Sequence, residues 1–158
     1  MSYMGINEGW LTVIGAISIH LAIGTLYLWV NLTSMVTSYL KQHNEVLTYN
    51  DTIAVYAVEI LIVGFFMLLA KTVTDKLGLK LTCAFAGLMQ VAGSLGSSYC
   101  TSLPALIFCY GVLQGAGIGL GYSPPVMAAA RHIPDRKGLV TGKLIDISTF
   151  LICFTMQY

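Results

Sequence analysis

GVLQGAGIGLGYSPPVMAAARHIPDRKGLVTG, Gly111 to Gly142, is an apolar, glycine-striped run closed by two prolines, then a basic loop, then a new apolar segment. Gly111, Gly115 and Gly119 recur every fourth residue, and Gly117 and Gly121 form a second row. At about 100° per residue, that spacing gathers each row on one side of a helix. A face without β-carbons lets a second helix approach closely, which matters where van der Waals packing holds helices together. In a soluble helix each interior glycine would cost roughly 1 kcal/mol relative to alanine. The run therefore reads as a membrane helix packed in a bundle, with the glycines as packing faces. A dinucleotide fingerprint does not fit. The third glycine of G-x-G-x-x-G would fall on Leu120 or Tyr122, and no acidic residue follows at a suitable distance.

Composition agrees. Of 158 residues, 56% are hydrophobic and only 9% charged, against roughly 25% charged in ordinary soluble domains. Mean hydropathy is +0.78. One soluble core of this size could not hide so much apolar sequence beneath a polar surface, so the chain is expected to be an all-α, multi-pass membrane protein whose surroundings are the lipid bilayer. A net charge of +1 excludes the basic face that nucleic-acid binding needs. Cys83, Cys100, Cys109 and Cys153 have no C-x-x-C spacing and sit in or beside apolar segments. They read as small buried residues, not as a metal or redox site. Before Trp10 there is no Lys or Arg, so the start lacks the basic region of a secretory signal. The first apolar segment is expected to be retained as a spanning helix.

Five apolar segments stand out, at about 10–38, 53–70, 81–99, 104–130 and 139–158. A hydrocarbon core about 30 Å thick needs about 20 helical residues. Seven of the eight Lys and Arg residues fall in or beside the second and fourth connections; only Lys41 lies on the other side. Positive-inside bias then places the N-terminus and the basic loops on the cytoplasmic or equivalent side.

Polar residues within the spans are sparse and periodic. His20, Gly24, Tyr27, Asn31, Ser34 and Ser38 step by four and three, and stay within about 40° of one line on a continuous helix. Such a stripe faces protein or a water-filled cavity rather than lipid. Tyr27, on the stripe, is the aromatic expected at the cavity; Trp29 points elsewhere, to a neighbour or to lipid. Thr52, Tyr56 and Glu59 form a shorter stripe on the second segment. Tyr110, Gln114, Gly117 and Gly121 form one beside the glycine face, and the third segment has only Gln90 near its middle. Glu59 either binds a proton or counter-ion or hydrogen-bonds to a neighbouring helix. His20 either lines the cavity or is a satisfied structural histidine. Asp146 is spaced to pair with Lys143 on one helix. No nucleophile–base, metal or phosphate-binding constellation is present, so neither catalysis nor a cofactor is indicated.

The second connection, Lys71-Thr-Val-Thr-Asp75-Lys76-Leu-Gly78-Leu-Lys80, resembles the loop between helices two and three of the major facilitator superfamily, G-x-x-x-D-[RK]-x-G-x-[RK]-[RK]. Asp75, Lys76, Gly78 and Lys80 match; Lys71 replaces the first glycine, and Leu79 replaces a basic residue. Gln114 to Pro125, then Ile133 to Gly138 and Thr141-Gly142, resemble helix four and the start of helix five in the oxalate/formate antiporter and monocarboxylate transporter branches. Gly24-Thr-Leu-Tyr27-Leu-Trp29 is similar to their first helix. The resemblance implies five of the six helices of an N-terminal lobe. It implies a substrate cavity shared with a second lobe and lined by aromatic residues of the first helix; the polar stripes make His20, Tyr27, Asn31, Glu59 and Gln114 the candidates to line it. It also implies a conformational latch at Asp75, with a small organic anion as ligand. Gly111 departs from the arginine that many proton-coupled members carry three residues before the glutamine. Asp146 and Phe150 stand where the branch is glycine-rich. The implied function is secondary transport once a second half completes the cavity. The other reading is a non-transporting half that serves as a structural subunit, its glycine faces packing against other membrane subunits.

Overall fold

The computed structural model describes residues 5–24, 26, 29–42, 47–132, 138, 142 and 146. They form an all-α membrane protein of helices α1 (Gly5–Ile23), α2 (Trp29–Gln42), α3 (Tyr49–Leu77), α4 (Leu79–Ser98), α5 (Leu103–Leu106) and α6 (Gly115–His132). A π-helical stretch, Ile107–Gln114, joins α5 to α6 in one rod. Among the described residues Tyr49–Leu77, Leu79–Ser98 and Leu103–Ala128 are long and apolar enough to cross a membrane, and Ile14–Ile23 is a shorter apolar helix.

Several boundaries differ from the sequence reading. The segment expected as one rod over 10–38 is two α-helices, with Gly24 and Leu26 between them in 3-10 geometry. The connection expected over Lys71–Lys80 is almost entirely helical. α3 runs through Lys71, Asp75 and Lys76 to Leu77, and α4 starts at Leu79. At 29 residues and about 1.5 Å rise per residue, α3 is roughly 43 Å long, so its basic last turns extend beyond an apolar slab about 30 Å thick. Gly78 alone breaks the helix, at φ 82° and ψ 158°, a region essentially reserved for glycine. The two prolines do not close the fourth segment. Pro124 and Pro125 lie inside α6, which continues to His132. Membrane helices tolerate proline because neighbouring helices and side chains satisfy the freed carbonyls. The fifth expected span, 139–158, lies outside the described residues apart from Gly142 and Asp146, and Lys143, Arg136 and Cys153 lie outside them too.

Thr48 caps α3. Its N–H donates to the Asp51 carboxylate at 2.8 Å, which satisfies one of the donors a helix start leaves free. At the start of α4, the Thr82 hydroxyl donates to the Gly78 carbonyl at 2.9 Å.

The α5–α6 rod is the axis of the bundle. Along the rod, Gly111, Gly115 and Gly119 face Val55, Glu59 and Val63 of α3 in ascending order, so α3 is parallel to it. Gly93 of α4 faces Cys109 and Gln114, whereas Gly117 and Gly121 face Ala86, so α4 is antiparallel to the rod. The His20 ring meets Tyr122 and the later Trp29 meets Tyr110, so from α1 to α2 the chain runs counter to the rod. The end of α3, the start of α4 and the end of α6 therefore share one face of the bundle. Lys71, Lys76, Lys80 and the chain position of Arg131 gather there, while Lys41 ends α2 at the opposite face.

Candidate functional site

The two glycine rows meet two different helices. A β-carbon at Gly119 would stand 2.6 Å from the Val63 carbonyl oxygen, and one at Gly115 would stand 3.1 Å from that of Glu59. On the other side, a β-carbon at Gly117 would stand 2.7 Å from both the Ala86 oxygen and the Gln90 nitrogen. Gly93 answers from α4, where a β-carbon would be 2.7 Å from the Gln114 nitrogen. Gaps this small admit no side chain, so backbone lies on backbone along both seams. Gly93 escapes a reading by rows because it is single.

Polar side chains lie in and around these seams. The Gln114 carbonyl accepts from the Ser94 hydroxyl at 3.1 Å and joins the π stretch to α4. The Gln90 amide donates to the Ala22 carbonyl at 2.8 Å and ties α4 to α1. Thr37 donates to Thr52 at 2.9 Å across α2 and α3. His20 is buried, with Nδ1 3.1 Å from the Ala16 carbonyl and its ring 5.3 Å from that of Tyr122. Glu59 is buried completely, and neither of its carboxylate oxygens has a hydrogen-bond partner.

Of the residues expected at the cavity, His20, Glu59 and Gln114 are buried inside the lobe, His20 against Tyr122 and the other two both beside Tyr110. Asn31 is exposed, and Tyr27 lies outside the described residues. Trp29 is buried against Tyr110, with ring centroids 4.3 Å apart, so it faces a neighbouring helix and not lipid.

The outward faces differ in chemistry from helix to helix. On α3 the exposed large side chains include Ile53, Ile60, Leu61, Phe65 and Leu68, and on α4 they include Leu81, Phe85, Leu88, Val91 and Leu95. Those faces suit lipid chains. α2 instead exposes Asn31, Ser34, Ser38 and Gln42 among Leu32, Met35 and Tyr39, a mixture suited to water, ligand or protein. A shallow groove of about 390 Å³ runs past Ser34, Ser38 and Gln42. A cavity of about 440 Å³ opens beside it, between α2, the last turn of α4 and the rod, floored by Trp29 and Tyr110. Nearby, burial and the neighbouring Cys109 thiol push the Cys100 thiol up from its ordinary value.

At the basic face, Asp75 and Lys76 occupy the last turn of α3 and Lys80 the first turn of α4, all exposed, with Gly78 between them. Asp75 thus sits at a helix end, not at the helix start where backbone N–H groups would face it. Ser94, Thr37, Thr52, Tyr122 and Gly93 complete the polar and close contacts. Each takes its role from a partner far away in the chain, which periodicity along one helix does not reveal.

The chain matches no family model. It is similar to apicoplast pyruvate carrier 2 of Toxoplasma gondii, with 26% identity across 92% of this chain and 23% of that protein. It is also similar to human monocarboxylate transporter 12, with 32% identity across 56% of this chain and 18% of the relative. With the oxalate:formate antiporter of Oxalobacter formigenes it shares 38% identity across 43% of the chain and 16% of that protein. The chain thus spans less than a quarter of the length of each of these three relatives. They are transporters rather than enzymes, and the resemblance carried by Gln114–Pro125 and Asp75–Lys80 is to proteins of this kind.

Proposed function

We propose that this chain forms part of a secondary transporter of small organic anions, monocarboxylates or dicarboxylates, working by alternating access. The observation that carries the reading is the polar outward face of α2, set against the apolar residues that α3 and α4 expose over 53–70 and 81–92. A transporter lobe needs one wettable wall and several lipid-facing ones. The relatives named for pyruvate, monocarboxylates, oxalate and formate support the substrate class. Asn31, Ser34 and Ser38 offer neutral hydrogen-bonding groups along that wall. The cation that would pair with a carboxylate then comes from a facing lobe, whether in the same polypeptide or in another. The basic ends of α3 and α4 take the cytoplasmic or equivalent side, and Asp75 serves as the latch between lobes.

The second reading, a non-transporting structural subunit, relied on the glycine rows to hold other proteins. Those rows are occupied by α3 and α4 of the same chain, which favours transport. Vesicles preloaded with labelled oxalate, formate, lactate or pyruvate test the choice. Exchange above that of empty vesicles is expected once the facing lobe is present with this chain. No exchange by a helical, monodisperse preparation sinks autonomous transport and leaves the subunit reading.

A further inference from the structure

Glu59 lies near the middle of α3 and is pressed against α6, where Gly115 leaves room for it. A β-carbon at Gly115 would stand 3.4 Å from the Glu59 Cγ. The side chain is 0% exposed and both of its oxygens are unpartnered. The titratable group set against it is Tyr110 from the π stretch, which in turn neighbours Tyr56 of α3. α6 turns Gly115 toward it; α2 meets α3 through Thr37 at Thr52 and the rod through Trp29 at Tyr110, and His20 of α1 lies against Tyr122. Among the described residues no Lys or Arg faces it.

A carboxylate stripped of water, counter-charge and hydrogen bonds costs several kcal/mol, and such a group neutralises instead. Two cations could do this. A hard metal ion takes about six oxygen ligands, and here only the two oxygens of one carboxyl converge. No group of three or more His, Cys, Asp or Glu suited to a metal occurs among the described residues. A proton needs one oxygen.

We propose that Glu59 is a proton-binding site buried in the seam between α3 and α6. Its carboxyl carries a proton while the seam is closed. When the seam opens, the O–H bond breaks, the electron pair stays on the carboxylate and a water molecule takes the proton as hydronium; closure reverses the step. The inference rests on the packing of this lobe alone and is independent of the transport reading.

Infrared spectroscopy of the purified full chain in lipid nanodiscs tests it without a transport assay. At neutral pH, where water-exposed carboxyls are ionised, the protein is expected to show a protonated-carboxyl C=O band that shifts in deuterated water. The band is lost in both Glu59→Gln and Glu59→Leu. Its absence from the unmodified protein overturns the proposal, as does its persistence in either variant, since another acid would then hold the proton. Thermal unfolding adds a second reading on the unmodified chain. A group protonated in the fold and ionised in the unfolded state loses stability as pH rises. Melting should therefore move to lower temperature from mildly acidic to mildly alkaline buffer, by more than in Glu59→Gln. Equal slopes would overturn the proposal.

Discussion

A single methyl group tests the glycine seams. Gly117→Ala pushes a carbon against the Ala86 oxygen and the Gln90 nitrogen, both backbone atoms that have no room to yield. Overpacking of this kind costs about 1–3 kcal/mol, and unfolding in detergent should show a loss of that size. Gly87 and Gly64, which have nothing within 4 Å of their β-carbon positions, are the controls. Alanine there should be neutral or stabilising by up to about 1 kcal/mol. Gly78→Ala should cost about 1–3 kcal/mol despite open space around it, because the strain is in the backbone. Cys100 offers a chemical reading. The thiolate is the nucleophile, and burial holds this thiol above its ordinary value. Maleimide labelling at neutral pH should therefore be slower than for an exposed cysteine, and should accelerate as pH rises. Such rows of glycine are visible in the sequence because spacing needs no knowledge of the partner. Which helix each row meets, and the answering Gly93, depend on contacts about twenty residues or more away in the chain.

Helix by helix, the least legible region was the first apolar segment. A common line from His20 to Ser38 assumes one continuous α-helix, whereas α1 ends at Ile23, α2 starts at Trp29 and Gly24 and Leu26 between them are in tighter 3-10 geometry. His20 therefore turns inward while Asn31, Ser34 and Ser38 stay outside. The fourth segment carries the π stretch. Its turns are wider, yet Gly111 within it still faces α3 together with Gly115 and Gly119. The connection at Lys71–Lys80 looked like a loop because charges cluster there, yet lysine is a good helix former once clear of the apolar slab. Cysteine scanning tests the faces that result. Water-soluble maleimide should label Asn31→Cys, Ser34→Cys and Ser38→Cys in membranes, and should leave Leu61→Cys, Leu68→Cys and Leu88→Cys unmodified. Equal labelling of both sets would remove the distinction between a wetted wall and a lipid-facing one.

At the scale of the molecule, parallel α3 and α6 and antiparallel α4 bring the basic ends to one face, which the alternation of charge along the chain makes legible from sequence. Cysteines placed at Lys76 and Lys80 should be protected from an impermeant reagent added outside intact cells, and a cysteine at Lys41 should react; the reverse pattern would invert the proposed orientation. Asp75→Asn should slow exchange if the exposed carboxylate latches two lobes, whereas unchanged rates would remove that role.

The joint at Gly78 has a mechanical consequence. With one residue between them, Leu77 and Leu79 cannot drift apart, so α3 and α4 have no slack for sliding lengthwise past each other. A push at the lysine-rich end must travel as a tilt of the whole pair. Over rigid arms of roughly 43 Å and 30 Å, a few degrees at the elbow becomes a displacement of a few ångströms at Thr48 and at Tyr99.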